Sequence, residues 1–121
     1  MVKNFILVGI GGGIGAMLRY LVYFFLKTTD FPVGTLVINI IGSFIIGIVM
    51  ALSIKELSFS PDMKIFLATG ICGGFTTFSS FSLENILLLQ EGRLNTAFFY
   101  TAVSILGGLA ATWLGFKLVN S

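Results

Sequence analysis

Histidine is absent from the 121 residues, and cysteine occurs once, as Cys72. The first absence removes imidazole proton relays and imidazole metal ligands. The second removes any intrachain disulfide and any multi-cysteine metal site. With neither a nucleophile–base pair nor a metal cluster to assemble, an enzyme is the least favoured class. Charge is scarce too: 10% of residues are Asp, Glu, Lys or Arg, where a soluble domain carries about a quarter. The net charge of +2, from seven basic and five acidic residues, is too small to imply nucleic acid or an acidic partner. What is present is apolar, 56% of the chain with 13 phenylalanines, at a mean hydropathy of +1.04. The composition predicts an all-α integral membrane protein set in a lipid bilayer.

Four spans are predicted, at residues 5–26, 33–54, 65–89 and 96–119, as one four-helix membrane domain over 1–121. Each is long enough, at ~1.5 Å per residue, to cross ~30 Å of hydrocarbon. Met1-Val2-Lys3 and the run behind it mimic a signal peptide, but the run is about twice a signal core and lacks a small-x-small cleavage site. It is read as the first span. The connectors are short and polar. Lys27 to Pro32 joins the first two spans. Ser60 and Pro61 suit a helix N-cap and first helical position, Gly92 a terminator and Asn95 the next cap. Lys3, Lys55, Lys64 and Lys117 fall on one side, and Lys27 and Arg93 on the other, with Arg19 nearer the latter. So weak a bias permits insertion in both orientations, and four helices make a small vessel for a pore, so an oligomer is expected.

The first span carries Gly9-Ile10-Gly11-Gly12-Gly13-Ile14-Gly15-Ala16. A dinucleotide fingerprint there would need a soluble sheet and a downstream acid, which are missing. Gly9 with Gly13, and Gly11 with Gly15, read instead as small-xxx-small packing pairs. Arg19 has two readings: a stem that snorkels to the interface, or an inward charge that attracts anions or holds a structural acceptor. On the second span Thr35, Asn39 and Ser43 share one face, as interhelical glue or as the lining of a path. On the fourth, Tyr100, Ser104 and Gly108 form a stripe, Gly107 and Ala111 pair as small residues, and Trp113 suits the interface.

The third span holds the densest polar pattern, Gly70 to Glu84. Gly73-Gly74 are expected to interrupt the helix, freeing carbonyls for a neighbouring helix or a cation. Thr77, Ser80 and Glu84 then share a face, and Phe78 and Phe81 an adjacent one, where electropositive ring edges can meet an anion.

Together these stretches resemble the Fluc (CrcB) family of fluoride channels, over essentially the whole chain. The resemblance is carried by Gly11 to Gly15 with Arg19-Tyr20, by Gly34-Thr35-Leu36-x-x-Asn39 with Gly42, and most specifically by Gly70-x-Cys72-Gly73-Gly74-Phe75-Thr76-Thr77-Phe78-Ser79-Ser80-Phe81-Ser82-x-Glu84. It implies a cell-membrane, dual-topology homodimer of antiparallel subunits with the third helix broken near its middle. A pairing with an oppositely oriented paralogue is the other possibility. It further implies two pores that let fluoride leave the cell passively, and a non-transported structural sodium ion held by the carbonyls of Gly73 and Thr76. By the same likeness Phe78 and Phe81 line the pore, Asn39 supplies an amide, and Ser80, Thr77 and Ser104 supply hydroxyls. Arg19 would stand near the vestibule, while Glu84 is expected near the pore end or paired. Ser80 stands where threonine is commoner, and Gly108 where a second hydroxyl is expected. Two rival readings are a small dual-topology multidrug exporter, which needs a first-helix glutamate that is missing here, and a non-transporting membrane assembly protein.

Overall fold

The computed structural model describes residues 1–27 and 30–120. The predicted Lys27–Pro32 connector therefore lies partly outside the described residues. Among the described residues all regular structure is helical: α1 (Val2–Phe25), α2 (Val33–Lys55), α3 (Pro61–Lys64), a π-helical stretch (Ile65–Cys72), α4 (Gly73–Phe75), α5 (Phe78–Gln90) and α6 (Leu94–Asn120). Four stretches of these residues are long and apolar enough to cross a membrane: Val2–Phe25, Val33–Lys55, Pro61–Gln90 and Leu94–Asn120. The third starts at Pro61 because Ser60 caps it, its hydroxyl accepting from the Met63 N–H at 3.0 Å. Gly92, with φ +74°, ends the helical run before α6, a backbone turn that only glycine makes without strain. Asn95 lies inside α6 rather than capping it, since the helix already begins at Leu94.

Two helix pairs build the bundle, and both close on glycine. α1 lies along the rod formed by α3, the π-helical stretch and α4. A Cβ on Gly11 would meet the Phe66 carbonyl at 2.7 Å, one on Gly15 would overlap the Ile71 carbonyl, and one on Gly74 the Gly12 carbonyl. Of the two predicted glycine pairs on α1, only Gly11 with Gly15 packs; Gly9 and Gly13 face open space. α2 lies equally close to α6, where a Cβ on Gly47 would strike the Thr112 carbonyl and one on Gly115 the Phe44 carbonyl. Such backbone approach is how helices gain dispersion energy where lipid removes the hydrophobic drive. α5 packs against α6 through Leu88, Ala97 and Tyr100, with Phe31, Leu36 and Phe81 around them.

One end of the bundle is tied by Lys3 to Asp62 at 2.9 Å and by the Lys55 Nζ donating to the Val119 carbonyl at 2.7 Å. Lys3 and Lys55, two of the lysines assigned to one membrane side, thus do meet partners at a common end. Trp113 is exposed, with the Lys117 ammonium 5.6 Å from its ring centre.

Candidate functional site: the interrupted third span

The interruption falls at Thr76 and Thr77, not at the glycines. Gly73 and Gly74 keep the helical coil, whereas Thr76 (φ −80°, ψ 157°) and Thr77 (φ −149°, ψ 116°) are extended. The expectation that Gly73-Gly74 break the helix is corrected: Gly74 is glycine because α1 touches its backbone. The break is made by side chains that take over helical hydrogen bonds.

In a continuing helix the Thr77 N–H would bond the Gly73 carbonyl. Here it donates to Asn39 Oδ1 at 2.9 Å, while Asn39 Nδ2 donates to the Thr77 carbonyl at 3.1 Å. One amide from α2 thus clamps both backbone groups of Thr77, much as a paired strand would. The Ser80 N–H, due to the Thr76 carbonyl, donates instead to Thr77 Oγ1 at 3.1 Å, the N-cap of α5. The helical donors of the Gly73 and Thr76 carbonyls have therefore both been redirected. The intervening Gly74 carbonyl accepts from Arg19 Nε at 3.0 Å. Arg19 turns inward, as a fixed cation at the break, rather than snorkelling. Thr76 Oγ1 donates back to the Cys72 carbonyl at 2.9 Å, and its methyl fills the space a side chain on Gly42 would need.

Beside the break lies a cavity of about 330 Å³ that Asn39, Ser43, Gly73, Thr76, Thr77 and Phe78 help to line. Its polar groups are neutral. Phe78 starts an aromatic series: its ring centre is 5.7 Å from Phe81, which is 5.1 Å from Tyr100, which is 5.5 Å from Phe31. Phe81 is half-buried, but Phe78 is 77% exposed on the single chain, an apolar ring turned out at membrane depth. The two rings flank a larger groove of about 650 Å³ between α5 and α6. Asn85 and Thr101, which the sequence reading missed, hydrogen-bond across it at 3.2 Å.

Glu84 is paired, and with hydroxyls rather than a cation. Thr35 Oγ1 donates to Oε2 and the Tyr100 hydroxyl to Oε1, both at 2.8 Å. Tyr23 lies 2.6 Å from Thr35 Oγ1 in turn. Thr35 and Tyr100 are fully buried, so the carboxylate has drawn its partners into the core. Thr35 and Tyr100 were legible as polar positions on their helices; Tyr23 gave no signal, because nothing in its local sequence points across to α2. Ser80 is half-buried, and Ser104 Oγ is a buried hydroxyl without a partner among the described residues. Gly108 leaves room for the Ser43 hydroxyl, 3.5 Å from where its Cβ would stand, and Thr112 one turn on bonds the Ser43 carbonyl at 3.0 Å.

Four apolar spans, the third broken beside a cavity with polar lining, define a multi-pass membrane protein. Sequence comparison names the family. The family described as CrcB-like protein, Camphor Resistance (CrcB), matches residues 6–116, and the chain belongs to it. Among its relatives, the "Fluoride-specific ion channel FluC" of Azobacteroides pseudotrichonymphae is 47% identical over 99% of this chain and 98% of its own. That of Gloeothece citriformis is 49% identical over 95% of each chain. "Fluoride-specific ion channel FluC 1" of Yersinia pseudotuberculosis is 44% identical over 100% of this chain and 97% of its own. The relatives are ion channels by name, and the family is not one of enzymes.

Proposed function

We propose that this chain is a fluoride-selective channel that lets fluoride leave the cell passively, lowering its cytoplasmic concentration. The observation that carries this reading is the end-to-end similarity, at 44–49% identity, to relatives named as fluoride-specific channels. The chemistry of the break supports it. Fluoride is small and strongly hydrated, so a selective path must replace its water with hydrogen-bond donors in a space too narrow for larger halides. Asn39 keeps a second amide proton beyond its bond to Thr77. Ser80, Thr77 and Ser104 offer hydroxyls, and Phe78 and Phe81 offer ring edges. Neutral donors of this kind hold an anion without trapping it.

The working unit is an antiparallel dimer with two pores. The exposed Phe78 ring supports this, since alone it would meet only lipid, as does the weak lysine bias that lets one chain insert both ways. A structural sodium ion fits the carbonyls of Gly73 and Thr76, whose helical donors are withdrawn by Asn39 and by the Thr77 cap. Oxygen donors on unwound membrane backbone suit such an ion, which when bound supplies fixed positive charge that offsets the anion's desolvation. Arg19 holds the Gly74 carbonyl between them and adds a second positive charge near the break.

Purified protein in liposomes tests the reading: fluoride efflux without a proton gradient, and no comparable chloride efflux, is the expected outcome. Efflux that needs a proton gradient would favour an exporter. No efflux at all would favour a non-transporting role.

A further inference from the structure

The Glu84 carboxylate accepts at both oxygens, from Thr35 and from Tyr100. A threonine hydroxyl has one proton. Since that proton goes to Glu84, the 2.6 Å bond between Tyr23 and Thr35 has one possible polarity, with the Tyr23 O–H donating. The chain Tyr23 to Thr35 to Glu84 is therefore ordered as long as the carboxylate is ionised. Remove the Tyr23 hydroxyl, and Thr35 keeps its proton but loses the donor that fixes its rotor. It is then free to bond back to the preceding turn of its own helix, as buried threonines do. The carboxylate would be left with Tyr100 alone, the residue whose ring packs tilted against Phe81.

We infer that Tyr23 is a positioning residue for conduction: by donating to Thr35 it keeps two hydroxyls on the Glu84 carboxylate and so screens a negative charge from an anion pathway. This rests on the channel reading above. The charged and titratable groups facing Glu84 are few. Tyr23 comes from α1 and Tyr100 from α6. Asp30 precedes α2, and Glu91 and Arg93 lie beyond α5; these three share with Glu84 a cavity of about 120 Å³. Arg93 stands 3.8 Å from Glu91, not on Glu84, so the hydroxyls are the carboxylate's own screen. That cavity places Glu84 near the span's end.

The test is fluoride efflux from phosphatidylethanolamine–phosphatidylglycerol vesicles at neutral pH, in the parent chain and in a Glu84→Gln chain, with leak from protein-free vesicles subtracted. Tyr23→Phe should slow efflux about tenfold relative to the parent chain at neutral pH. In a Glu84→Gln background, where no carboxylate charge is left to screen, adding Tyr23→Phe should change efflux by less than about twofold. Thr35→Val, which removes the middle hydroxyl and keeps the shape, should behave alike and carries the test if Tyr23→Phe does not fold. Equal rates for Tyr23→Phe and the parent chain would overturn the inference. So would the same loss in the Glu84→Gln background, which would make Tyr23 a packing residue. A parent chain that passes no fluoride would instead sink the channel reading itself.

Discussion

Upstream of Thr76 the third span is held by backbone pressed on backbone, with the Arg19 bond to the Gly74 carbonyl beside it; downstream it is held by side-chain hydrogen bonds. Gly15 and Gly74 bring α1 against the upstream half so closely that no side chain intervenes. The downstream half meets Asn39, Thr35 and Tyr100, each bonding to Thr77 or Glu84. The contrast teaches where specificity resides. A contact seam without side chains tolerates no added atom. A seam built of amides and hydroxyls can exchange partners, and it is there that the proposed anion path would find donors.

The largest expected effect lies in the dry seam. Gly15→Val would drive a side chain into the Ile71 carbonyl and the Phe75 amide, with overpacking of about 1–3 kcal/mol or more. Gly13→Val on the same helix meets nothing within 4 Å. Thermal unfolding in detergent should therefore separate the two variants widely, and matching curves would erase the distinction between packed and open glycines. In the polar seam, Asn39→Ala strands both backbone groups of Thr77, at about 1–3 kcal/mol for each buried group left unpaired. Fluoride efflux should fall about tenfold or more; unchanged efflux would reduce Asn39 to packing.

Phe78→Ile and Phe81→Ile sharpen the comparison further, since they remove ring edges while leaving apolar bulk. Efflux should drop in both, with the assembly intact by size-exclusion chromatography. Stability should fall more for Phe81, which packs against Tyr100, than for the exposed Phe78. Undiminished flux in both would take the rings out of the mechanism. The smallest effect is expected from Thr76→Ser. It keeps the backbone carbonyl and the hydroxyl bonded to Cys72, and loses only the methyl above Gly42, about 1 kcal/mol. Sodium dependence of flux should survive it; loss of that dependence would move the cation site from carbonyl to side chain.

Much of this was legible in the chain because it is local. Span length and apolarity, the Ser60 cap and the Gly92 turn are written within a few residues of where they act. The position of the break was not. Two adjacent glycines are the strongest local breaker signal in the span, yet they stay helical, and the unwinding is imposed by an asparagine 38 positions away. Likewise Gly9 and Gly13 carry the same spacing as Gly11 and Gly15, and only the partner helix decides which pair is used. Glu84 was expected near the pore end or paired, and the structure pairs it with two hydroxyls. Its partners sit on α2 and α6, and the hydroxyl behind them on α1, a convergence that single-helix periodicity does not encode.

The π-helical stretch Ile65–Cys72 has one further consequence. A coil whose Gly73 N–H reaches five residues back, to Ala68, stores surplus contour in mid-membrane. Each residue added to or taken from an ordinary helix swings everything beyond it by about 100°. Deleting one residue within this segment would let the coil tighten to an ordinary helix with Gly74 still facing the first helix, whereas a deletion elsewhere in the span would turn it away.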